Sequence, residues 1–154
     1  MRRAGLTRRS VSFMVPFLSL PTFLLSNAAF GSSASTPETT EGPYYPYELP
    51  KDDNGDLVKI ENSDQEADGE ILHLTGRVLD LARRPLAGAR VEIWQCDNNG
   101  VYHHIDDRSY ALRDTAFQGV GYVVADQMGR FAFRTIVPVP YPGRTPHIHI
   151  KVYD

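Results

Sequence analysis

From residue 71 onward, short β-forming runs alternate with turn signals, and no stretch carries the apolar period of an amphipathic helix. ILHLTGRVLD (71–80) leads into the turn LARRPLAG, and ARVEIWQCD (89–97) into Asn98-Asn99-Gly100. GYVVAD (121–126) is followed by Gln127-Met128-Gly129 and then RFAFRTIV (130–137). After the proline-rich PVPYPGRTP comes the strand-like HIHIKVYD (147–154). Such a series must bury one side of each run against a second layer, which predicts an all-β fold, a single β-sandwich over residues 71–154. Residues 74–95 and 121–136 read as two strand-turn-strand units, with Gly129 supplying permissive backbone in the second turn. Val91 and Ile93 are expected to face one way, joined by Cys96, with Trp94 marking a thick core.

The 154 residues leave room for one such domain. Residues 1–10 are basic, 11–25 mostly apolar and the next few small, the three-part pattern of a signal peptide, expected over 1–31. An apolar run of about 15 residues, broken by Pro16 and Pro21, is too short to span a bilayer, so no stable membrane anchor is expected. Arg8-Arg9 before Ser10-Val11-Ser12-Phe13 resembles a twin-arginine signal, a route that carries folded, cofactor-loaded proteins. The expectation is export, to the periplasm or beyond the cell. Residues 32–70 show neither helix nor strand period and predict a loop-rich N-terminal arm. Beyond the four arginines of the first nine residues, 12 basic residues face 19 acidic ones, a balance of −7 that argues against a nucleic-acid partner. Cys96 is the single cysteine, so no internal disulfide forms, and it is expected to pack as a small apolar residue.

His147-Ile148-His149 is the sharpest local signal. Side chains two apart on a strand share a face, so two imidazoles point together, and imidazole is a common ligand for iron, zinc and copper. A bare His-x-His is more often a polar pair on an exposed face, but Pro138, Pro140, Pro142 and Pro146 stiffen the preceding loop and favour the metal reading. Tyr141 stands close by in sequence. Taken alone, it reads more readily as a loop aromatic on proline rings, and Arg144 as a surface cation. Should Tyr141 face the histidines, the metal is ferric, since a hard, highly charged ion is what strips a phenol with a pKa near 10. Tyr102 follows the turn after the Trp94 run, a typical place for a site residue. His103 and His104 are adjacent and point to opposite sides, so they are neighbours rather than ligands. The polar stretch 103–118 is the one long enough for a functional loop.

TPETTEGPYYP (36–46), LTGRVLD (74–80), GARVEIWQCDNNGVYHH (88–104) and GRFAFRTIVPVPYPGRTPHIHIKV (129–152) together resemble the intradiol ring-cleavage dioxygenases, the family of the catechol 1,2- and protocatechuate 3,4-dioxygenases. The short Pro-Gly-Arg-Thr-Pro loop is most similar to smaller exported members. The resemblance implies Fe(III) held by Tyr102, Tyr141, His147 and His149. Tyr141 would be the ligand displaced by substrate, and Arg144 the charge beside the substrate ring. It implies a catechol-type substrate opened with O2 to a cis,cis-muconate-type diacid. Family members continue past the position matching Asp154, with further strand and a glutamine lining the site. The expectation is therefore a C-terminally incomplete member with an open sheet edge. The substrate's ring substituents and any homo-oligomer stay open.

Two other readings remain. GRVLDLARRPLAGARVEIW (76–94) also resembles transthyretin-like or carboxypeptidase-regulatory sandwiches, non-enzymatic binding modules without metal. A zinc hydrolase on His147 and His149 would need a third histidine or carboxylate. Colour separates them, because tyrosinate on ferric iron absorbs visible light and neither alternative does.

Overall fold

Strands form where the β-forming runs stand: β1 (Ile71–Arg77), β2 (Arg90–Trp94), β3 (Val120–Val124), β4 (Arg130–Ile136) and β5 (His149–Tyr153). They are seen in a computed structural model that describes residues 35–154, so the export segment expected over 1–31 lies outside the described residues. β1 and β4 make a two-stranded antiparallel sheet, and β2 lies between β3 and β5 in a three-stranded one. A 3-10 turn, Tyr110–Leu112, is the one helical piece among the described residues, and no helix there is long and apolar enough to cross a membrane. The all-β sandwich is as expected.

Alternation sorts the side chains into two layers. Val91, Ile93 and Val123 from the larger sheet meet Phe133 and Ile136 from the smaller, with Phe117 between. Burying each such side chain is worth about 1.5–3 kcal/mol. β2 is buried on both faces, and its other face carries Glu92 and Trp94. Cys96 does not join Val91 and Ile93. It packs with Trp94 and Tyr102 in a second cluster, because residues two apart along an extended chain share a side.

The two strand-turn-strand units need correction in one respect. Their turns stand where expected, but each joins strands of opposite sheets, since β1 pairs with β4 and β2 with β3. At the second corner, Ala125 N–H donates to Ala89 O within the larger sheet, while Val78 N–H donates to Gly129 O in the turn. Spacing reveals a turn; the partner of each strand depends on which face must be covered. Gly129 has φ +69°, and a Cβ there would stand 2.4 Å from the Val78 carbonyl oxygen. Gly129→Ala is expected to cost roughly 2–3 kcal/mol in urea unfolding, as both the dihedral and the contact oppose it.

The loop-rich arm contributes to the core. Leu57 and Val58 are fully buried in it. Arg134 N–H donates to Gly55 O at 2.8 Å and Leu57 N–H to Arg134 O at 2.8 Å, so this segment extends the β1–β4 sheet by a bridge. Across the sandwich, Thr135 Oγ1 donates to Gln95 Oε1 at 2.9 Å, joining the sheets through two buried side chains. β5 is an edge among the described strands. Ile150 and Val152, paired with Ile93 and Val91, stay 49% and 47% exposed, because the narrower sheet does not reach over them.

Candidate metal centre

Tyr102 is placed by a carboxylate. Asp97 is fully buried at the end of the Trp94 run. Its Oδ1 accepts from the N–H of Asn99 (2.9 Å) and Val101 (3.0 Å), and its Oδ2 from Asp114 N–H (2.6 Å). The Asn98-Asn99-Gly100 turn is thus closed around it, with Gly100 at φ +75°. Asp107 Oδ2 then accepts from Tyr102 N–H at 2.9 Å. Tyr102 is 2% exposed as a result, packed with Trp94 and Cys96.

The histidines arrive on β5. His149 is the register partner of Trp94, and its ring stacks on the indole at 4.6 Å and 7°. His147 Nε2 lies 3.1 Å from His149 Nε2 and 3.5 Å from the Tyr102 hydroxyl. The Tyr141 ring stands 5.4 Å from that of Tyr102 and 5.6 Å from that of His147. A tight turn holds it, with Arg144 N–H donating to Tyr141 O at 2.9 Å. Two phenols and two imidazoles from three segments therefore converge. The exposed Arg144 side chain is near enough to act electrostatically on both Tyr102 and His149.

This donor set suits a cation. Two imidazole nitrogens, each about 2.1 Å from one metal at near a right angle, lie about 3 Å apart, as these two do. Thr145 O stands 2.6 Å from His147 Nδ1, so that nitrogen carries the proton and Nε2 offers its lone pair to the site. Burial, with His147 and Arg144 nearby, pushes His149 down to about 4, so its imidazole is neutral at ordinary pH. Burial also holds the Tyr102 phenol above its ordinary range, helped by the Tyr141 hydroxyl. Only a strongly charged ion reverses that preference, so the residues fit a hard ferric ion better than a soft or weakly charged one. Among the described residues, no group of three or more His, Cys, Asp and Glu is gathered for a metal, so the zinc arrangement finds no third ligand of that kind.

Other candidates fall elsewhere. His103 turns toward Phe117 and Gly119, while His104 is buried against Tyr44 and Tyr47. Cys96 is buried, with its thiol pushed up to about 11 by burial, which disfavours a nucleophile. Sequence reasoning passed over Asp97, Glu92 and Trp94 as parts of the site. An acid before Asn-Asn-Gly is the signal that could have found Asp97, since Asp caps such turns.

A family model described as dioxygenase matches residues 40–152. Catechol 1,2-dioxygenase of Pseudomonas sp. (strain EST1001) is 34% identical over 111 residues, covering 71% of this chain and 33% of that protein. Protocatechuate 3,4-dioxygenase beta chain of Burkholderia cepacia is 38% identical, covering 64% and 45%. The chain thus spans less than half the length of these relatives. Among solved structures, the dioxygenase domain of a dioxygenase carbohydrate-binding protein fusion from Streptomyces sp. SirexAA-E matches with TM-score 0.61 at 34% identity, over 77% of this chain and 66% of that one. An intradiol ring-cleavage dioxygenase from Tetranychus urticae matches with TM-score 0.61 at 31% identity, over 78% and 59%. Sequence, fold and the convergence of two tyrosines on a His-x-His pair agree: the chain belongs to the intradiol ring-cleavage dioxygenase family.

Proposed function

We propose that the protein binds Fe(III) through Tyr102, Tyr141, His147 and His149, and opens catechol-type diols with O2 to cis,cis-muconate-type diacids. The observation that carries this is the meeting of the two phenols with His147 Nε2 and His149 Nε2. We propose also that it acts after export.

The chemistry supplied by bound Fe(III) is Lewis-acid activation of the diol toward O2. The chain's residues prepare for it. Trp94 and Tyr44 wall the buried side, Tyr44 stacking on Tyr102 at 4.9 Å, and so exclude water there. Tyr141, half-buried where Tyr102 is buried, can turn outward, and as the phenolate that would hold Fe(III) its Oη would take the proton given up by an arriving diol hydroxyl. Arg144 offers positive charge to the oxygen that has lost it.

The test is oxygen uptake by the ferric-loaded protein with catechol, with the product identified. One O2 consumed per diacid formed supports the reading, and an extradiol product or no uptake by an iron-replete protein contradicts it. Arg144→Ala is expected to lower turnover about 100-fold while bound iron stays the same, as for loss of one charge-stabilising donor.

A further inference from the structure

His147 and His149 are held differently. His147 Nδ1 bonds to the Thr145 carbonyl, the usual way a metal-binding imidazole is oriented. No such bond reaches His149 Nδ1 among the described residues. Its ring instead lies flat on Trp94. The indole has no polar tether of its own, since Trp94 Nε1 is buried without a hydrogen-bond partner. What packs against Trp94 therefore bears on the plane of His149. Besides Cys96 and Tyr102, Tyr45 meets the indole edge-on at 5.0 Å and 83°. Tyr45 in turn is anchored: its hydroxyl donates to Glu92 Oε2 at 2.8 Å and lies 3.2 Å from the Tyr153 hydroxyl. Glu92 is fully buried in mid-β2, with Arg90 Nε 2.9 Å from its other oxygen. A buried carboxylate is costly unless it is paired, and this one is paired to a cation and a phenol that leads back to the site.

We propose that Glu92 is a positioning residue, acting through the Tyr45 hydroxyl and Trp94 to fix the orientation of His149 at the metal centre. The role rests on the ferric reading above. Burial and the bonds to Tyr153 and Glu92 keep the Tyr45 phenol protonated, hence a donor. Lys151 over the Tyr45 ring at 4.4 Å steadies the same arm.

Trp94 is the one tryptophan in the chain, so ferric iron supplied as citrate can be titrated by quenching of its fluorescence. Tyr45→Phe removes a single oxygen. It is expected to weaken ferric binding about tenfold and to shift the visible band of the loaded protein, the usual scale for a partner that orients a ligand. Glu92→Gln keeps an acceptor for Tyr45 and is expected to retain most of the affinity, whereas Glu92→Met, of similar length but with no acceptor, is expected to match Tyr45→Phe and serves as the second break should that variant be poorly folded. Tyr47→Phe loses a different bond of the same arm, to Asp106, and is expected to change neither readout. An unaltered band and affinity in Tyr45→Phe would overturn the proposal. Equal effects of Tyr45→Phe and Tyr47→Phe would do so too, by showing general loosening of the arm. No band and no quenching in the unsubstituted protein would instead sink the ferric reading itself.

Discussion

Asp97→Ala is expected to destabilise the protein by about 3–5 kcal/mol and to abolish iron loading, although Asp97 touches no ligand atom. Three N–H groups converge on its two oxygens at 2.6–3.0 Å, from buried Val101, half-buried Asp114 and exposed Asn99. Alanine leaves all three without this acceptor, and each donor held away from water then costs about 1–3 kcal/mol. The segment they hold is the one that delivers Tyr102. Urea unfolding of the metal-free protein measures the first effect, and iron content after refolding the second. Asp97→Asn keeps one carbonyl oxygen but turns an amide N–H toward a donor, so its cost should fall between wild type and alanine. If Asp97→Ala were as stable as the unsubstituted protein, the turn would be held by something other than this carboxylate.

Tyr102→Phe should separate binding from folding. The change removes one oxygen and keeps the ring between Tyr44 and Tyr141. The hydroxyl is buried and His147 Nε2 is a long 3.5 Å away, so metal-free stability should move by no more than about 1 kcal/mol. Ferric affinity should fall by more than the ~100-fold reached by changes beyond the ligands themselves, and turnover with it. His147→Ala should match it in iron loss. Equilibrium dialysis against ferric citrate, beside thermal melts without metal, reads both quantities. Retained iron in Tyr102→Phe would mean that this phenol is not a ligand.

The strands were legible because β2, β3, β4 and β5 each carry their own β-forming run and turn. Which strands pair was not. LARRPLAG and Asp126-Gln127-Met128-Gly129 look like hairpin turns, yet each carries the chain across the sandwich, a choice made by burial of Val91, Ile93 and Phe133 rather than by the turn. Leu57 and Val58 were hidden in an acidic, glycine-bearing stretch with no period, because a segment docked by a few backbone bonds to Arg134 and Gln118 needs none. His147 and His149 could be read from spacing, as strand geometry alone puts them on one side. Tyr102 and Tyr141 lie 39 residues apart in the numbering, and only the fold brings their rings to 5.4 Å. Glu92 stands between Val91 and Ile93 on β2, on the face opposite theirs. It is buried because the arm lies over that face, placing the Tyr45 hydroxyl on its carboxylate.

The most direct test of the central claim is the visible absorption spectrum of the purified protein loaded with ferric iron, recorded before and after catechol is added. Tyrosinate ligation by Tyr102 and Tyr141 predicts a broad blue-green band that moves to longer wavelength with catechol, and that is absent from the metal-free protein. A colourless protein with one ferric ion bound per chain would contradict the account, because the iron would then be held without either phenolate.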